Sequence, residues 1–153
     1  MIDFVRVSLK AGKGGNGSVS FRRERFIPKG GPDGGDGGKG GNVYFETDTN
    51  LNTLAEFTHN QKIWAEKGKN GSGKKMFGLK GEDLVVKVPV GTTLHLKALD
   101  GRAMDLQDID MNEPGMRLLI AKGGRGGKGN VHFKSSRNTT PMTAQDGLPG
   151  EEF

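Results

Sequence analysis

The stretch with the clearest look of chemistry is Gly68-Lys69-Asn70-Gly71-Ser72-Gly73-Lys74-Lys75. It fits the phosphate-cradling pattern G-x-x-x-x-G-K-[ST] at every position but the last, where Lys75 replaces the hydroxyl that would hold Mg²⁺. Such a loop must open a helix, whereas Met76-Phe77-Gly78-Leu79-Lys80-Gly81 is broken by two glycines, so nucleotide hydrolysis is not expected here. His59, His95 and His132 are scattered, with no carboxylate at metal-ligand spacing along the chain. The acids between Asp100 and Glu113 lack the Asp-x-Asp-x-Asp-Gly spacing of a calcium loop. Cysteine is absent, which excludes disulfides and thiolate metal sites, and nothing resembles a nucleophile with its base. The residues argue for binding, with no catalytic, cofactor or metal site.

What they could bind follows from charge. The net charge of +5 is unevenly spread: Arg6 to Lys29 holds seven basic residues and one acid, Lys62 to Lys80 six and one, and Arg117 to Arg137 six and none. Asp100 to Glu113 concentrates five acids between the last two blocks. Folding that gathers the basic blocks on one side would suit a polyanion, most simply nucleic acid. The plainer alternative is a solvated cationic face.

The elements that must hold these charges are glycine runs. Gly31-Pro32-Asp33, Gly34-Gly35-Asp36, Gly37-Gly38-Lys39 and Gly40-Gly41-Asn42 place glycine at every third residue. That step matches neither a helix nor a strand, but it matches polyproline II, a left-handed helix of three residues per turn without internal hydrogen bonds. A bare glycine edge lets other backbones approach and supply the missing partners. Similar runs occur at 12–17, 68–71, 78–81, 123–129 and 147–150, so a bundle of such helices is expected, with Gly31, Gly34, Gly37, Gly40, Gly123, Gly126 and Gly129 as its structural glycines. Glycine makes up 27 of 153 residues against an average of about 7%.

Between the runs lie short strands. Asp3 to Leu9 alternates, Gln61 to Glu66 surrounds the only tryptophan, and Met116 to Ala121 is apolar. Leu84 to Val90 and Thr93 to Leu99 read as a hairpin turning at Gly91, and Asp100 to Glu113 as a connecting loop. Asn50 to Thr58 has helical spacing for a turn or two. Gly41-Asn42-Val43-Tyr44-Phe45 recurs as Gly129-Asn130-Val131-His132-Phe133, and more loosely at Gly15 to Phe21, an internal repeat in which each glycine run feeds a strand. The fold expected is mainly β, an antiparallel β-barrel or sandwich carrying the glycine helices, in a single domain over 1–153 with the glycine-rich part near 10–45, 66–82 and 121–150. No signal sequence or apolar run long enough to span a membrane is seen, and the expected location is cytoplasmic.

Several strings together resemble a known family. Arg22-Arg23-Glu24-Arg25-Phe26-Ile27-Pro28-Lys29-Gly30-Gly31-Pro32-Asp33-Gly34-Gly35-Asp36-Gly37-Gly38, then Val88-Pro89-Val90-Gly91-Thr92, Leu118-Leu119-Ile120-Ala121-Lys122-Gly123-Gly124, Phe133-Lys134-Ser135-Ser136 and Pro149-Gly150-Glu151-Glu152, look like the amino-terminal domain of the Obg (CgtA) GTPases. The resemblance covers essentially the whole chain. It implies six glycine-rich helices on an eight-stranded barrel, and a partner, the large ribosomal subunit with its 23S-type rRNA, entered near the peptidyl-transferase region. It also implies that GTP and Mg²⁺ belong to a GTP-binding domain beyond Phe153, which this domain could contact. On that reading the RNA-binding residues are Arg22, Arg23, Arg25 and Lys29 in one tip, Lys74, Lys75 and Lys80 in a second, and Lys134 and Arg137 in a third. Two other readings remain open: a structural or protein-interaction module assembling glycine helices between chains or regulating the GTPase, and a disordered glycine-arginine RNA binder.

Overall fold

The computed structural model describes residues 4–22, 30–58, 61–97, 108–135 and 137–153. Seven strands form among them: β1 (Val7–Lys10), β2 (Val43–Thr47), β3 (Gln61–Trp64), β4 (Leu84–Val88), β5 (Thr92–Leu94), β6 (Ile109–Met111) and β7 (Arg117–Ala121). The protein is mainly β. In β2 the two-residue period is visible in burial, with Val43, Phe45 and Thr47 buried and Tyr44 and Glu46 half-buried. The buried side chains Leu9, Val43, Phe45, Ile63, Val86, Val88, Met111 and Ile120 make one core.

Of the expected antiparallel barrel or sandwich, the mainly β character holds and the uniformly antiparallel pairing does not. Among the described residues the strands form three separate sheets, β1-β3, β4-β2-β7 and β5-β6, and no closed barrel. The β1-β3 and β2-β4 pairs are parallel, while β2-β7 and β5-β6 are antiparallel. The glycine segments dictate these directions. β1 and β3 both run into a glycine segment, at Ala11 and Glu66, so they lie parallel. β2 and β4 both emerge from one, at Asn42 and Asp83, and are parallel too; β7 runs back into one at Lys122 and lies antiparallel to β2. Parallel neighbours need long crossovers, and the glycine segments supply them.

Three further expectations change. β4 and β5 do not pair as a hairpin: β4 joins β2, and β5 joins β6. Pro89, which has no amide to donate, stands where that ladder would begin, and Gly91, at φ +95°, bonds instead to the Met111 carbonyl. The acidic segment is therefore not wholly a loop, because Ile109 to Met111 is a strand with Met111 fully buried. Residues 50–58 form isolated turns, Asp48 to Leu51 and Leu54 to Phe57, rather than helix.

The glycine segments belong to neither helix nor strand and are bonded sideways to one another. Around the central run the bonds sort by threes. The amides of Gly35, Gly38 and Gly41 donate to the carbonyls of Ser72, Lys69 and Glu66; those of Gly37 and Gly40 donate to Gly127 and Gly124. Carbonyls of Gly35, Gly38 and Gly41 accept from Ser18, Gly15 and Gly12, and those of Asp36 and Lys39 from Gly78 and Gly81. Residues three apart thus face the same neighbour. The approach is close: a Cβ on Gly37 would overlap the Gly15 carbonyl, and one on Gly126 would overlap the carbonyl of Gly37.

Candidate nucleic-acid interface

At the far end of the central run the chain doubles back. Phe21 bridges Pro32, the Arg22 amide donates to the Gly31 carbonyl at 2.8 Å, and the Asp33 amide donates to Ser20 at 2.9 Å. Asp33 then recruits a second segment. Its carboxylate Oδ2 accepts the Lys74 amide at 3.0 Å and its carbonyl accepts the Lys75 amide at 2.6 Å. Both lysines sit in the left-handed region, at φ 59° and 57°, which costs an L-residue of order 1–3 kcal/mol and persists only where the surroundings impose it. The two bonds to Asp33 are that imposition. Oδ1 of Asp33 is buried without a hydrogen-bond partner among the described residues.

Asn130 brings in a third segment. Fully buried, it accepts the Gly34 amide through Oδ1 at 2.9 Å, donates through Nδ2 to the carbonyls of Ser20 and Pro141, and donates its own amide to Ser18. Four residues later Lys134 lies with Nζ 3.6 Å from where a Cβ on Gly31 would stand. Arg22, Lys74, Lys75 and Lys134, far apart in sequence, are therefore exposed together around Gly31 to Asp33.

The other proposed contacts fall elsewhere. Lys80 is exposed but lies down the bundle, beside Gly81, whose amide bonds to Lys39. Arg137 is exposed in the turn closed between Ser135 and Asn138. Arg23, Arg25 and Lys29 lie outside the described residues. Of the structural glycines, Gly34, Gly37, Gly40, Gly123, Gly126 and Gly129 each leave no room for a Cβ against a neighbouring backbone carbonyl; Gly31 does, meeting only the Lys134 side chain.

The Gly-Asn repeat does not lead into a strand in every copy. The copy at Gly129 does not feed a strand; Asn130–Phe133 is a 3-10 helix, and the copy at Gly15 leads only to the Phe21 bridge. What the copies share is the asparagine. Asn16 Oδ1 accepts the amide of Gly147, Asn42 Oδ1 that of Gly123, and Asn130 Oδ1 that of Gly34. Each carboxamide serves a glycine amide of another segment of a bundle that has no helical ladder to do so. The recurrence of Asn after Gly was the available signal.

The histidines also gain neighbours invisible in sequence. His132 Nε2 lies 2.8 Å from Asp36 Oδ1, and His95 Nδ1 lies 2.9 Å from Asp108 Oδ2. Each is a single pair, and among the described residues no three metal-ligating side chains gather. His59 lies outside the described residues.

The loop at 68–75 does not fit a nucleotide phosphate. The amides of Gly68 and Gly71 donate to Lys13 and Asn16, that of Lys69 to Leu79 and that of Ser72 to Met76, while the Lys74 amide already holds the Asp33 carboxylate. Most of the amides a phosphate would need are engaged within the protein. GTP and Mg²⁺ are therefore not assigned to these residues.

The family model for GTP1/OBG matches residues 2–153. The chain belongs to the GTP1/OBG family. Three GTP1/OBG relatives, each named GTPase Obg, are 53% identical over 151 residues (Lawsonia intracellularis), 50% over 152 (Magnetococcus marinus) and 49% over 153 (Clostridium kluyveri). In each case 99% of this chain is covered, against 41%, 38% and 34% of the relative. The chain thus spans about two fifths or less of the GTP1/OBG proteins it matches. No helix among the described residues is long and apolar enough to cross a membrane.

Proposed function

We propose that this chain is the RNA-binding part of an Obg-type GTPase, docking on 23S-type rRNA of the large ribosomal subunit during its assembly. The carrying observation is the meeting of Arg22, Lys74, Lys75 and Lys134 around Gly31 to Asp33, one cationic end built from three distant stretches. Such an end suits a phosphate backbone. We further infer that the glycine segments are left-handed polyproline II helices; the three-residue recurrence of their lateral bonds supports this, and those bonds lie within one chain rather than between chains. Stiff, thin rods of this kind fit a narrow RNA cleft such as the peptidyl-transferase region.

On this reading residues 1–153 act as one RNA-binding unit of a cytoplasmic protein. GTP hydrolysis and Mg²⁺ belong to a separate GTP-binding domain, against which this unit could rest. Co-sedimentation with isolated large subunits over a salt series, with small subunits as control, tests the proposal. Alanine at Arg22, Lys74, Lys75 and Lys134 together should weaken binding and flatten the salt slope by about 0.7 to 0.9 for each phosphate no longer neutralised. An unchanged slope removes this end from the interface.

A further inference from the structure

Between Lys74-Lys75 and Lys80 the sequence reads Met76-Phe77-Gly78-Leu79, and these apolar side chains point outward. Met76 is 59% exposed, Phe77 71% and Leu79 76%. Neighbouring large apolar side chains left in water mark a contact surface. The backbone beneath them is fixed: the carbonyl of Met76 accepts from Ser72, the amide of Gly78 donates to Asp36, and the carbonyl of Leu79 accepts from Lys69. The ridge is held in place without its side chains joining the core.

Trp64 provides a comparison. It is also exposed, at 52%, but the ammonium groups of Lys10 and Lys62 stand 5.2 and 5.1 Å from its ring centroid. Cation-π contacts already occupy that ring. No cation or second ring lies over Phe77 among the described residues.

We propose that Phe77 is a stacking platform for an unpaired base of RNA, with Lys74, Lys75 and Lys80 holding the phosphates on either side. This rests on the RNA-binding reading above and adds the kind of RNA. Three lysines and no acid occur between positions 74 and 80, a composition that favours a polyanion over a protein partner, since lysine is depleted in protein–protein interfaces. A ring presented to water has nothing to stack on along the body of a closed duplex, where both faces of every internal base are covered. An unpaired base offers a free face, and base–aromatic stacking of this kind tolerates any sequence.

The test is fluorescence anisotropy of this chain with a labelled single-stranded RNA and with a duplex RNA of equal length. Phe77→Ala should lower affinity for the single strand about 5- to 140-fold, leaving duplex affinity, salt slope and urea midpoint unchanged. Phe77→Trp should keep the affinity and show emission quenched by the single strand but not by the duplex. Lys74→Ala with Lys75→Ala should weaken both RNAs and flatten the salt slope. If Phe77→Ala weakens both RNAs alike, or neither, the stacking role is overturned while RNA binding stands. Crosslinking from position 77 to a subunit protein instead of RNA overturns it in the same way. If the unaltered chain binds neither RNA nor large subunits, the RNA reading itself fails.

Discussion

The Asn130 carboxamide oxygen accepts the Gly34 amide at 2.9 Å, joining residues 96 positions apart. Its Nδ2 closes two more bonds, to Ser20 and Pro141, inside the bundle. Asn130→Ala would strand the buried Gly34 amide and the Pro141 carbonyl, while the Ser20 carbonyl keeps the Asp33 amide, and should cost about 2–4 kcal/mol. Asn16 makes the corresponding bond to Gly147 from a half-buried position, so Asn16→Ala should cost about 1 kcal/mol. Urea unfolding of the two variants checks the order, and equal losses would deny Asn130 its central place.

Amide hydrogen exchange should follow the three-residue period of the central run. Amides of Gly34, Gly35, Gly37, Gly38, Gly40 and Gly41 each have a carbonyl or carboxamide acceptor, whereas those of Asp36 and Lys39 have none among the described residues. The first six should be protected and the last two should exchange rapidly. Uniformly rapid exchange would mean that the segments do not pack in solution.

Glycine is not equally needed along that run. A Cβ at Gly37 would overlap the Gly15 carbonyl, and a backbone carbonyl cannot move aside as a side chain can. Gly37→Ala should destabilise by about 3 kcal/mol or more, at the upper end of overpacking costs. At Gly31 the nearest atom is the flexible Lys134 Nζ at 3.6 Å, and Gly31→Ala should change stability by less than about 0.5 kcal/mol. Thermal unfolding midpoints distinguish them.

Lys75 combines strain with a charge assigned to the proposed RNA interface. Its φ of 57° favours glycine, so Lys75→Gly should be about 1 kcal/mol more stable than Lys75→Ala. Both remove the same cation and should weaken large-subunit binding equally. Unfolding midpoints and salt slopes measured on the pair separate backbone strain from charge, and no stability difference would deny that the turn is strained.

The sequence alone determined the glycine period, the Gly-Asn repeat, the presence of strands at β1, β3, β4 and β7, and the placing of positive charge in three blocks. These are local properties: a three-residue step needs only its own residues, and an apolar alternation marks a strand whatever it pairs with. Only the tertiary structure decided strand direction, because β1, β2, β3, β4 and β7 are aimed by the ends of the glycine segments that feed or drain them. It also decided that Leu84–Val88 abandons Thr92–Leu94 for Val43–Thr47, and that Asn130 folds into a 3-10 helix where the same letters at Asn42 open a strand. The meeting of Arg22, Lys74, Lys75 and Lys134 belongs to the same class. It depends on Asp33 and Asn130 reaching amides 41 and 96 residues away, and no spacing along a chain specifies which distant amide a buried carboxylate or carboxamide will satisfy.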